Sequence, residues 1–153
     1  MIKTVEYEQI LNIWELYLWP ERTSKIESHS AMLIYGAIDI HNFEYPATYF
    51  VYTVDDIIAG CNSGHMCNDN SYRSRGLYVF PRYRNQGIGS RLLNATILQG
   101  QKENADFVWS YPKKKSWSTY ENVGFSLASD WEQSELGLNA YSKLELNTTH
   151  PRF

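Results

Sequence analysis

The 153-residue chain has only two cysteines, Cys61 and Cys67, and no apolar run long enough to span a bilayer. Two thiols are too few for a disulfide framework, and a reduced, buried pair is the expectation for a cytoplasmic chain. The opening stretch "MIKTVEYEQI" carries two acids and no apolar core, which argues against a secretory leader. These absences lead to the expectation of a soluble cytoplasmic protein with no membrane partner. Internal repeats, low-complexity tracts and interdomain linkers are also missing. With 43% hydrophobic and 15% aromatic residues, the chain can bury one sizeable core but is short for two, so a single domain over residues 1–153 is expected.

Charge is not scarce but is unevenly placed. Between Arg73 and Lys115 nine basic residues stand against two acids, which makes that segment +7 and leaves −10 for the rest of a chain of net charge −3. Such a split points to an anionic ligand at the middle of the chain, and not to nucleic acid as a partner of the whole protein.

Helical spacing of Ile10, Ile13, Trp14, Tyr17 and Leu18 predicts a first helix over residues 7–19, stopped by Pro20. A second, weaker helical pattern runs over 21–36, and 39–47 reads as loop. "TYFVYTV" and "IIAGCNSGHM" are β-rich runs joined at Asp55-Asp56, and "YRSRGLYVF" follows the turn "NDN", giving three antiparallel strands. Ile88, Leu92, Ala95 and Leu98 then repeat at helical spacing, and "ADFVWSYP" returns to strand. That order makes a crossover whose two flanking strands are parallel. "SWSTYENVG" reads as a short helix closed by Gly124, and "FSLASDW" and "NAYSKLEL" as closing strands.

Between the third strand and its helix lies "RYRNQGIGS". Backbone N–H groups at a helix start are unpaired, and glycines let a ligand approach them closely, so this turn suits a phosphate. It lacks the Gly-Lys-Ser/Thr ending of a Walker loop, and Leu92 stands where a dinucleotide fingerprint needs a third glycine. A turn that merely connects a strand to a helix is the plain alternative.

Arg84-Asn85-Gln86-Gly87-Ile88-Gly89 resembles the R/Q-x-x-G-x-G/A turn of the GNAT acetyltransferase superfamily. Tyr120-Glu121-Asn122-Val123-Gly124-Phe125 is similar to that family's Y-x-x-x-G-F element, at the expected distance downstream. The resemblance covers about residues 1 to 146. It implies a mixed α/β fold of α+β type: a mostly antiparallel central sheet of about six to seven strands with helices on both faces. It implies acetyl-CoA as co-substrate, its pyrophosphate held by Arg84, Asn85, Gln86, Gly87, Ile88, Gly89 and Ser90 and its pantetheine arm by the backbone of Leu77 and Val79. The Leu77 N–H would polarise the thioester carbonyl, Tyr120 would protonate the departing thiolate, and an amine-bearing acceptor would take the acetyl group. Members of the family are often dimers, so a homodimer is possible.

The stretch "SYRSRG" departs from better-known members, where a glutamate serves as base, because Arg73 stands near that position. Arginine cannot accept a proton. His65, set beside Tyr72 by the expected hairpin, is the substitute candidate, and a water relay is the alternative. Arg73 and Arg75 share a strand face, and if that face lines the acceptor site the substrate carries a carboxylate or phosphate. Lys113, Lys114 and Lys115 are candidates for screening a 3′-phosphate. Cys61, His65 and Cys67 alternate between strand faces and lack a fourth ligand, so no metal is expected. A non-catalytic acyl-CoA-binding or regulatory module is the competing reading.

Overall fold

A computed structural model of the chain describes residues 1–135 and 137–146. A seven-stranded sheet is built from β1 (Ile2–Val5), β2 (Ala47–Val54), β3 (Ile57–Met66), β4 (Ser71–Val79), β5 (Phe107–Ser110), β6 (Ser126–Leu127) and β9 (Ser142–Glu145), in the order β1-β2-β3-β4-β5-β9-β6. All neighbours are antiparallel except β4 and β5. A separate hairpin pairs β7 (Glu132–Ser134) with β8 (Gly137–Asn139).

Helices cover both faces. On one side α1 (Tyr7–Ile13) buries Ile10, Ile13 and, just beyond it, Trp14 against Tyr49, Val51 and Cys61. On the other, α2 (Ile88–Lys102) lays Ile88 and Leu92 on Phe50 and Ala59, and Leu93 and Ile97 on Tyr72 and Val108. Tyr49 and Val51 point one way and Phe50 the other because strand side chains alternate. The short helix α3 (Trp117–Asn122) inserts Tyr120 into the α2 side of the core, with Val123 as its cap and Gly124 following at φ 109°.

The mixed fold expected from the sequence is present, with four corrections. The strand β1 at the start of the chain was not anticipated; four residues are too short for alternation to stand out. Residues 21–36 form no α-helix, only a single 3-10 turn over Ile34–Gly36. Their carbonyls are taken by side chains from elsewhere: Tyr7 donates to Ile26, Arg75 to Glu27, Tyr49 to Ser28, and Asn42 to both Ser30 and Met32. A helix would need those carbonyls for itself. Finally, the β3–β4 hairpin pairs His65 with Arg73 and Met66 with Tyr72, one residue out of the expected register. The first predicted helix is real but loosens after Ile13 into a π-turn over Trp14–Leu18.

Candidate functional site

The site is formed where β4 and β5 part. Their parallel pairing stops at Arg73 and Trp109, while β4 runs on to Val79 and leaves its backbone unpaired on that side. The fork is pinned at its vertex by the Ser110 hydroxyl, which donates to the Ser74 carbonyl at 2.9 Å. On the other edge of β4, pairing with β3 skips between Cys61 and Ser63, so Gly76 and Leu77 bulge opposite Asn62. Gly76 takes φ 83°, and a Cβ there would lie 2.4 Å from the Trp14 indole.

Beyond β4, Pro81–Tyr83 makes one 3-10 turn and Asn85 (φ 62°) and Gly87 (φ 80°) bend the chain into α2. No side chain caps this helix start, so its first N–H groups remain open, with the positive end of fifteen helical residues behind them. Nothing lies within 4 Å of where a Gly87 Cβ would project. The turn is held from behind: Arg84 donates from Nε to the Val79 carbonyl at 2.8 Å, and Gln86 to that of Arg82 at 3.3 Å.

The fork and the turn border one cleft of about 570 Å³, lined by Leu77, Tyr78 and Val79, by the turn from Arg84 to Ser90, and across from them by Lys113, Lys115 and the hydroxyls of Ser116, Ser118 and Thr119. Of the expected turn residues, Arg84, Asn85, Gly87, Ile88, Gly89 and Ser90 line it, whereas Gln86 does not. Lys113 and Lys115 face the cleft and Lys114 lies over the Trp131 ring instead. Sequence reasoning missed the hydroxyls at the start of α3; the density of Ser and Thr in "SWST" was the available signal. No carboxylate or imidazole is among the described residues that line the cleft.

Tyr120 sits behind the cleft wall, 4% exposed, its ring edge-on to Phe125 and parallel to Trp117. Burial raises its phenol pKa, opposed by the neighbouring Ser110 hydroxyl and by the charge of Arg73. That contact with Ser110 places the hydroxyl at the vertex of the β4–β5 fork.

His65 is brought elsewhere. Its ring is fully buried, accepts from the Ser30 N–H through Nε2 at 3.0 Å and donates from Nδ1 to the Met66 carbonyl at 3.0 Å. Desolvation pushes its pKa down to about 3. With both nitrogens committed it has no lone pair for a substrate amine, and it fastens the 26–32 segment to the sheet. Cys61 and Cys67 fall into different core clusters, and no group of three or more His, Cys, Asp or Glu gathers for a metal among the described residues.

Arg73 and Arg75 do share a face, but it is interior: they are 7% and 5% exposed. Arg75 lies against the rings of Trp14 and Trp19 and donates to the Glu27 carbonyl at 2.8 Å. Arg73 stacks on Trp109 at 4.2 Å.

Among solved structures, this architecture is similar to an acetyltransferase of the GNAT family from Staphylococcus aureus Mu50 (18% identity, 95% of this chain and 99% of that one, TM-score 0.65). It is similar to the ribosomal-protein-S18-alanine N-acetyltransferase of Escherichia coli (15% identity, 100% and 99%, TM-score 0.63). A Bacillus anthracis protein described as a streptothricin acetyltransferase, solved in complex with acetyl coenzyme A, matches over 69% of this chain and 68% of that one at 17% identity and TM-score 0.59. No curated protein matches the chain by sequence. The model of the acetyltransferase (GNAT) domain matches residues 46–127, more than half of the chain and the whole stretch from β2 through the cleft to β6, so the chain belongs to the GNAT acetyltransferase family.

Proposed function

We propose that this protein is a cytoplasmic, acetyl-CoA-dependent N-acetyltransferase that moves an acetyl group to a primary amine by direct attack on the thioester. The observation that carries this reading is the coincidence, in one cleft, of an uncapped helix start and a strand edge released from pairing. The turn from Arg84 to Ser90 fits a pyrophosphate, because it offers free N–H groups and open space over Gly87. The free edge of β4 from Leu77 to Val79 fits the amide groups of a pantetheine arm, and Lys113 and Lys115 suit the remaining phosphate charge.

The amine nitrogen bonds to the acetyl carbon as the C–S bond breaks. The Leu77 N–H takes the negative charge that develops on the carbonyl oxygen. Tyr120, kept protonated by its burial, supplies the proton that the thiolate collects. The ammonium loses its first proton to water before attack, since the described residues of the cleft include no carboxylate or imidazole to accept it; the second, shed by the nitrogen as the amide forms, returns through water to the Tyr120 phenolate and restores it. Acceptor amines must then arrive neutral, and turnover rises with pH toward the acceptor's own pKa.

The test is incubation with acetyl-CoA and a panel of amines, following free thiol and acetylated product. Acceptor-dependent thiol release is the expected result. Tight acetyl-CoA binding with no release across amino acids, polyamines, aminoglycosides and peptide N-termini would favour the non-catalytic module.

A further inference from the structure

Arg73 is more than nine-tenths buried, and its Nε and Nη1 have no hydrogen-bond partner. No carboxylate pairs with it among the described residues; its charge is felt by the Cys67 thiol and the phenols of Tyr120, Tyr141 and Tyr111, and the neutral His65 faces it across the hairpin. Directly beneath it, the Trp109 indole nitrogen is also sealed, with no more than a loose contact to the Cys67 sulfur. Three buried donors therefore gather at one point without an acceptor. Buried polar groups are normally satisfied, and a buried cation without a partner is among the costliest arrangements a fold can keep.

Arg75 shows what a structural arginine looks like on the same strand: stacked on two tryptophans and bonded to a carbonyl. Arg73 has the stacking and lacks the bond. Burial lowers its pKa to about 10, which leaves it charged at neutral pH.

Nη2 lies outside the sealed pair of nitrogens. Tyr111 and Tyr141, whose phenols act on the Arg73 charge, lie with ring centroids 4.5 Å apart at a tilt of 33°, and Tyr35, 60% exposed and held at φ 71°, leans on Tyr141 at 5.6 Å. On its inner side Arg73 lies within electrostatic reach of Tyr120, whose hydroxyl marks the fork.

Resting on the acetyl-transfer reading above, we infer that Arg73 is the anchor for a carboxylate on the acceptor, so that the enzyme acetylates amines that carry a carboxylate at the far end. A carboxylate, with a single negative charge, balances one guanidinium and can accept from the unsealed Nη2. A phosphate, with more charge and more oxygens, would need further cations, and the neighbouring Arg75 is already engaged. The spacing also selects length. Leu77 lies four residues along β4 from Arg73, about 13 Å away at the rise of a strand. An α-amino acid is too short to reach both points, whereas an ω-amino acid or a dipeptide spans them.

The experiment compares δ-aminovalerate, its neutral amide δ-aminovaleramide, glycine and inorganic phosphate, titrated into the full chain by ligand-observed NMR with and without acetyl-CoA. Thiol release is measured alongside. We expect δ-aminovalerate to bind at least tenfold more tightly than its amide, with glycine and phosphate weaker than the acid. Arg73→Met should erase the acid-over-amide difference and raise the melting temperature, because it removes an unpaired buried charge. Arg73→Lys, which keeps the charge but withdraws it from the position of Nη2, should restore only part of the difference. Equal binding of acid and amide by the wild-type chain overturns the inference, as does phosphate binding more tightly than the acid. An Arg73→Met variant that melts lower and keeps the preference for the acid overturns it as well. If the acid binds through Arg73 but no thiol is released with any amine, the anion pocket stands and it is the acetyl-transfer reading that fails.

Discussion

The Trp14 indole N–H donates to the Gly76 carbonyl at 2.9 Å, across 62 residues of sequence and from one face of the sheet into the bulge of β4. The Cys61 thiol points at the same oxygen from 3.7 Å. A trans peptide aims its carbonyl and the following N–H in opposite directions, so the bond that holds the Gly76 oxygen toward α1 turns the Leu77 N–H away from α1. A hydrogen bond on the carbonyl also polarises the amide and strengthens its N–H as a donor. Trp14 is thereby a positioning residue for the proposed oxyanion donor.

Replacing the indole N–H of Trp14 with sulfur, by incorporating benzothienylalanine at that position, keeps the shape and removes only this donor. We expect kcat to fall about tenfold or more, in line with a weakened oxyanion donor, while the acceptor KM and the melting temperature change little. A purely structural tryptophan would give the reverse pattern: lower stability and an unchanged kcat in the protein that remains folded.

Tyr120→Phe removes one oxygen and keeps the ring packing against Phe125 and Trp117. If the phenol protonates the thiolate, kcat drops on the order of 100-fold and the acetyl-CoA Kd stays within a few-fold. Steady-state kinetics and calorimetry on the same preparation check both numbers. Full kcat in the variant would leave the thiolate to depart with a proton from water.

Gly87→Val places a branched side chain into the open space over the turn, at a φ of 80° that valine rarely adopts. Acetyl-CoA affinity should weaken well over tenfold, about 1.4 kcal/mol, with the sheet and the far core unaffected. Calorimetry on a variant with wild-type circular dichroism decides it; unchanged affinity would show that the pyrophosphate lies elsewhere.

His65 sets an acid limit on stability. Its pKa in the folded chain is about 3, pushed down chiefly by burial, against an ordinary value of 6.5. Between those values the unfolded chain binds the extra proton and the folded chain does not, so stability rises with pH across this window. The contribution is complete above about pH 6.5 and is lost as the pH falls toward 3. Urea denaturation from pH 7 down to pH 4 should show the loss, and His65→Gln should flatten that slope even though it lowers the plateau. A wild-type profile that is flat between pH 6.5 and 4.5 would mean that the histidine is not sealed as described.

How much of this was readable in advance follows from where the information lies. The glycine turn before α2 was legible because every property it needs is local: Gly87 bends the backbone, Gly89 carries no Cβ, and the helix that supplies the dipole begins within the same six residues. The glycine-turn signature and the charge split pointed to the same stretch, and the antiparallel hairpins were visible in alternation and in the Asp55-Asp56 turn. The long-range placements were not legible. A one-residue change of register in the β3–β4 hairpin moved His65 opposite Arg73, and burial with two backbone partners took it out of consideration as a base. The segment over 21–36 had helix-compatible residues but lost its carbonyls to side chains from Tyr7, Asn42, Tyr49 and Arg75, which no local pattern can register. The sequence showed that Arg73 and Arg75 share a face. Only the folded chain could give Arg75 a carbonyl and leave Arg73 without one, because hydrogen-bond satisfaction depends on which distant atoms packing brings within 3 Å.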